Sequence, residues 1–101
     1  MQRSGKATHV ALLSVTGHDG KDLTKNSLEK VMSILSDQIR TALRRGDTYA
    51  RCSVSQFIIM LPQANYENSC MVCRRVVGNY IKKHPSSPAN ITFAVQPLSL
   101  E

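Results

Sequence analysis

The chain has 101 residues, 42% of them hydrophobic, and thirteen Lys/Arg against seven Asp/Glu give a net charge of +6. That length supports one hydrophobic core rather than two, and the apolar share is too high for a disordered chain. No run of 18 apolar residues occurs, which excludes a membrane-spanning helix, and the polar start Met1-Gln2-Arg3-Ser4-Gly5-Lys6 is not a secretion signal. A cytoplasmic setting is expected, where Asn90-Ile91-Thr92 carries no glycan.

Residues 1–6 read as a disordered lead-in. Ala7 to Val15 reads as a strand, apolar on both faces from Val10 to Leu13. Turn signals follow at Gly17, Asp19 and Gly20. Leu28, Val31, Met32, Leu35, Ile39, Ala42 and Leu43 recur at three- and four-residue steps and predict a helix. Asn26 or Ser27 is expected to cap it, Glu29 to sit in its first turn, Arg44 and Arg45 in its last, and Gly46 to stop it. Thr48 to Val54 alternates, as a half-buried strand does, and Phe57 to Leu61 is apolar on both faces; the two form a hairpin around Ser53–Gln56, ended by Pro62. A second helix is expected from about Tyr66 to Lys83, with Cys70, Cys73, Val76, Val77, Tyr80 and Ile81 inward. Pro85-Ser86-Ser87-Pro88 is a loop, and Ile91 to Leu98 makes the last strand. The domain runs over residues 7–98. Residues 99–101 are a tail in which Leu100-Glu101 matches a dipeptide common at cloning junctions, and the chain reads as an excised domain of a longer protein.

The order β-α-β-β-α-β predicts an α+β, ferredoxin-like sandwich, with a four-stranded antiparallel sheet and both helices on one face. Strands apolar on both faces belong in the middle of a sheet, which places the first and third centrally and the second and fourth outside. The uncovered face is then apolar and implies a partner, either a second copy or other domains of the same chain. Ala11, Leu13, Ile58 and Met60 are the interface candidates, with Val10 the alternate to Ala11 and Ile59 to Ile58.

Other chemistry finds little footing. Three cysteines argue against a disulfide framework, and Cys70-x-x-Cys73 has no second Cys/His pair at zinc spacing, so buried thiols are expected and neither metal nor cofactor. His9, His18 and His84 are isolated and take no role. The basic residues are spread over the expected solvent faces of the helices, which suits solubility better than a nucleic-acid stripe. No paired aromatic signature for stacking bases falls on adjacent central strands.

One constellation is specific. Leu43-Arg44-x-x-Asp47, then Arg51, a hairpin, Phe57, and Leu61-Pro62 stand at fixed spacing after a first strand "VALLSVTG". This resembles the GGDEF (diguanylate cyclase) family across about residues 7–98, where the pattern is L-R-x-x-D, R-Y-G-G-D-E-F and L-P. The resemblance implies that family's fold, in degenerate form. The family's two first-strand aspartates correspond to Ser14 and Thr16, and its hairpin Gly-Gly-Asp/Glu-Glu to Ser53-Val54-Ser55-Gln56. Magnesium wants hard carboxylate oxygens, and these positions hold none, so no cyclase activity is expected. Glycines that would admit a phosphate close to backbone have become Ser53 and β-branched Val54.

Arg44-x-x-Asp47 matches the family's secondary, inhibitory site for cyclic di-GMP. It leaves a metal-independent nucleotide site open as an alternative, with Arg44, Asp47, Arg51, Ser53, Ser55 and Gln56 as candidate ligands. "SVTGHDGK", "IRTALRRGDTYARCSVSQFIIMLPQANYENSCMVCRRV", "HPSSP" and "VQPL" are further similar to the C-terminal domain of Firmicutes transcriptional regulators that carry a bacterial transcriptional activator (BTAD) domain. That resemblance implies a regulatory, non-catalytic domain, with DNA bound only through an N-terminal part missing from this sequence.

Overall fold

The computed structural model describes residues 8–17 and 23–98. The expected lead-in over residues 1–6, the start of the first strand at Ala7, the turn residues Asp19 and Gly20, His18, and the tail with Leu100-Glu101 lie outside the described residues. The elements run β1 (His9–Gly17), α1 (Lys25–Ala42), β2 (Thr48–Ser53), β3 (Gln56–Leu61), α2 (Tyr66–Lys83) and β4 (Ala89–Pro97). They form one antiparallel sheet in the order β2-β3-β1-β4, with the two doubly apolar strands in the middle as expected. Gly17 is the last residue of β1.

Helix α1 starts earlier and stops earlier than its sequence signals suggest. Thr24, not Asn26 or Ser27, is the cap: its hydroxyl accepts the Ser27 N–H at 3.2 Å. Glu29 therefore lies beyond the first turn. At the other end Leu43 is already extended, so Arg44 and Arg45 lie outside the helix, and Arg40 is the basic residue of its last turn. Gly46 serves the following turn instead, at φ +96°, where a side chain would be strained. Asp47 closes that turn from both sides, accepting the Arg44 N–H at 3.0 Å through its carboxylate and donating its own N–H to the Arg44 carbonyl at 3.0 Å.

Helix α2 is capped by Asn65, which accepts the Asn68 N–H at 2.7 Å. Cys70, Cys73, Val76 and Tyr80 face inward as the period predicts, but Ile81 is 57% exposed. The core lies between sheet and helices: Ala11, Leu13 and Val15 from β1, Phe57, Ile59 and Leu61 from β3, closed by Val31, Met32, Leu35 and Ile39 of α1 and the inward face of α2. Tyr80 is 2% exposed and its hydroxyl pairs with Ser87 Oγ at 2.6 Å, which ties the end of α2 to the loop before β4. His9, on a central strand rather than in a loop or at an edge, is buried and bonds the Ala64 carbonyl through Nδ1 at 2.8 Å.

Candidate functional site

The β2–β3 hairpin closes over two residues, Val54-Ser55, with Ser53 opposite Gln56 and a bulge between Arg51 and Ser53. Because β1 also pairs with β3, Ser14 stands opposite Gln56. Gln56 Nε2 donates to Ser14 Oγ at 3.1 Å, and Ser53 Oγ donates to Gln56 Oε1 at 3.1 Å. The Ser55 N–H donates to Ser53 Oγ at 3.2 Å, and the Val15 N–H donates to the Ser55 carbonyl at 2.9 Å. A chain of neutral hydroxyls and an amide thus spans the gap between first strand and hairpin. Thr16 Oγ1 turns to the Asn90 carbonyl at 3.4 Å. No cluster of His, Cys, Asp and Glu suited to a metal occurs among the described residues.

Arg51 points the other way, toward α1. Its guanidinium makes a bidentate pair with Glu29 at 2.7 and 3.1 Å and also donates to the Ser53 and Val54 carbonyls at 3.2 and 2.8 Å. The hydrogen bond from Arg51 holds the Glu29 carboxyl below its ordinary range, and Glu29 in turn raises the Arg51 guanidinium. Arg51 is therefore a strut between hairpin and helix, with four of its five N–H donors committed. Glu29 stands 22 residues from Arg51 in sequence, and no local pattern points to it as the partner.

The candidate ligand residues are not one site. Ser53, Ser55 and Gln56 lie at the hairpin end of β2, whereas Arg44 and Asp47 lie at its other end, about 20 Å of strand away. Around the latter a hollow of about 190 Å³ is lined by Arg44, Arg45, Asp47, Gln63, Asn68 and Arg75. None of those three arginines makes an ion pair among the described residues. A wider hollow of about 480 Å³, between the start of α1 and the end of α2, carries Lys30, Lys83 and His84 and none of the candidate residues.

The second surface of interest is the sheet face away from the helices. Register puts Val10, Leu12, Ser14 and Thr16 of β1 there, beside Gln56, Ile58 and Met60 of β3. Thr48 and Ala50 flank them on β2, and Asn90, Thr92, Ala94 and Gln96 on β4. In a chain of net charge +6, none of these residues is charged. Ile58 and Met60 are where the sequence placed them. Ala11 and Leu13 are not: both are fully buried beneath the helices, one residue out of phase, and Val10 and Leu12 hold the outer positions. Alternation along β1 fixes that two faces exist, and only packing against α1 and α2 decides which is covered.

Cys70 and Cys73 are buried and unpaired, and Cys52 is exposed. Burial, aided by neighbouring Cys70, pushes the Cys73 thiol up to about 11.

This arrangement defines the class of fold: a ferredoxin-like α+β sandwich of the GGDEF type, with no helix among the described residues long and apolar enough to cross a membrane. Solved structures share it. An EAL/GGDEF domain protein from M. capsulatus superposes with a TM-score of 0.64 at 20% identity, covering 93% of this chain and 65% of that one. The active GGEEF domain of a diguanylate cyclase from Vibrio cholerae gives 0.67 at 12% identity, over 90% and 63%. A dimeric ferredoxin-like protein of unknown function from Thermobifida fusca gives 0.52 at 9%, over 97% of both chains. The chain thus spans less than two thirds of the two GGDEF proteins. At these identities the likeness is one of fold. No family model and no curated protein matches the sequence.

Proposed function

We propose that this chain is a non-catalytic docking domain of a bacterial transcriptional regulator, whose uncharged sheet face lies against another domain of the same polypeptide. The observation that carries the reading is that face: apolar at its centre around Leu12, Ile58 and Met60, polar but neutral at its rim. Such a surface is buried without the cost of desolvating an ion. It offers no cation to a phosphate, which argues against nucleic acid there. The reading that it is not a cyclase is supported by Ser14, Thr16 and Ser53–Gln56, which carry no carboxylate, and by the hydrogen bonds that already engage Ser14, Ser53 and Gln56 with one another. The setting in a transcriptional regulator rests on the resemblance to the C-terminal domain of BTAD-type proteins, with DNA bound by a different part of that protein.

Two measurements test it. Supplied with GTP and magnesium, the protein should release no pyrophosphate. Co-expressed with the remaining domains of its regulator, the wild-type domain should co-purify with them and the L12K/I58K variant should not. Turnover of GTP, or equal retention of the variant, would sink the proposal.

A second reading has its own observation. The hollow with three arginines that make no ion pair among the described residues, Arg44, Arg45 and Arg75, suits an anionic nucleotide, bound without metal. The Asp47 carboxylate is held by the turn, so the arginines carry that reading. Calorimetry with cyclic di-GMP, GTP and ATP, repeated on Arg44→Ala, decides it; no heat with any of the three ends it.

A further inference from the structure

The two edges of the sheet are built differently. Edge strands expose a row of unpaired N–H and C=O groups, and natural sheets blunt them with short strands, bulges, charge or proline. β2 does this: it has six residues, a bulge next to Arg51, and that guanidinium folded back on the Ser53 and Val54 carbonyls. β4 does none of it. It has nine residues, pairs with β1 in continuous register from Ala89 to Pro97, and carries no charged residue and no proline before its last position. Among the described residues nothing pairs with its outer edge.

A second observation lies beside that edge. Ile91, Phe93 and Val95 face the helices yet are only half-buried, unlike their counterparts on the central strands. Ile81 of α2, which its helical period would turn inward, is 57% exposed and lines one hollow with Ala89 and Ile91. Apolar side chains thus continue past the end of the covered core on the side where backbone hydrogen bonding is unfinished.

We propose that the outer edge of β4 pairs with β4 of a second copy of this chain, antiparallel about a two-fold axis at Phe93, to give one continuous eight-stranded sheet. A second copy is the occupant the strand fits. Phe93 is the midpoint of Ala89–Pro97, so the symmetric pairing sets Ile91 against Val95 of the partner subunit and Phe93 against its own counterpart. It sets Asn90 against Gln96 of the partner subunit on the opposite face. Two copies of net charge +6 meet along a strand where neither carries a charge. This goes beyond the docking of the sheet face and is independent of it: the axis lies at the edge, and the face stays open, doubled in extent.

Sedimentation equilibrium on the 101-residue chain tests this, and wild type is expected at twice its 11.2 kDa mass. Asn90 and Gln96 are exposed, so their substitution leaves the monomer folded. N90K/Q96K sets lysine against lysine on both sides of the axis. N90K/Q96E makes the same positions complementary, and its dimer should be tighter than that of N90K/Q96K by at least about tenfold. L12K/I58K, charged at the centre of the open face, should remain a dimer. A wild-type chain that sediments at 11.2 kDa at millimolar concentration overturns the proposal. So does equal dissociation of the two Asn90/Gln96 variants, or a dimer lost in L12K/I58K. Failure of the face-docking proposal would instead appear as L12K/I58K still retained by the regulator's other domains.

Discussion

Leu12 and Leu13 are neighbours of the same type on the same central strand, and the structure assigns them opposite fates. Leu13 is fully buried among Met32, Leu35, Ile59 and Val76 of the core, whereas Leu12 lies half-exposed on the open face. Leu13→Ala removes core methyl groups and leaves a cavity, at a cost of about 2–5 kcal/mol. With a urea slope of about 1.5 kcal/mol/M for a domain this size, a loss near 3 kcal/mol lowers the unfolding midpoint by about 2 M. Leu12→Lys removes no core contact, and the lysine stem can lie along Ile58 and Ala94 with its ammonium in water. Its cost should stay below about 1 kcal/mol, or less than about 0.7 M in midpoint. The assay is urea unfolding followed by circular dichroism at low micromolar protein, where association contributes little to apparent stability. If Leu12→Lys costs as much as Leu13→Ala with an unchanged slope, the assignment of the two sheet faces is wrong, and the docking surface with it.

Other expectations follow from the same structure. Gly46→Ala, at φ +96°, should cost about 1–2 kcal/mol in urea unfolding, without changing the folded far-ultraviolet spectrum. A thiol reagent at neutral pH should label Cys52 quickly, and Cys70 and Cys73 only after unfolding, because both are buried and the Cys73 thiol is pushed up to about 11. The Glu29 carboxyl should titrate below the ordinary glutamate range by nuclear magnetic resonance, and Arg51→Ala should move its midpoint up. Since the folded value is the depressed one, the stability this pair contributes is present above the ordinary glutamate range and lost as pH falls through the lowered value. The pair is exposed, so salt should weaken the shift.

The fold was legible because its signals are redundant. Strand order came from which strands are apolar on both faces, and the hairpin from two strand patterns separated by a polar gap. What failed depended on information that a local pattern does not hold. Thr24, Asn26 and Ser27 are all competent caps within four residues, and only the structure shows which side-chain oxygen reaches an open N–H. Double apolarity, the feature that marks β1 as central, is also what erases the distinction between Ala11/Leu13 and Val10/Leu12. Arg51 and Glu29 are 22 residues apart, and no spacing rule joins them. The candidate ligand set failed for a geometric reason: Arg44 and Gln56 are close in sequence, but a strand stretched between them carries them to opposite ends of the sheet.

The chain of neutral groups from Ser14 through Gln56 to Ser53 has a consequence for how this domain responds to its surroundings. Hydroxyls and a carboxamide neither titrate across the physiological range nor recruit divalent ions, and the adjoining face adds no charge to theirs. Contacts made through that face should vary little with pH, magnesium or ionic strength. They should instead show the negative heat-capacity change of apolar burial and weaken on cooling. Temperature, rather than salt, becomes the variable to which an assembly built on this surface is tuned.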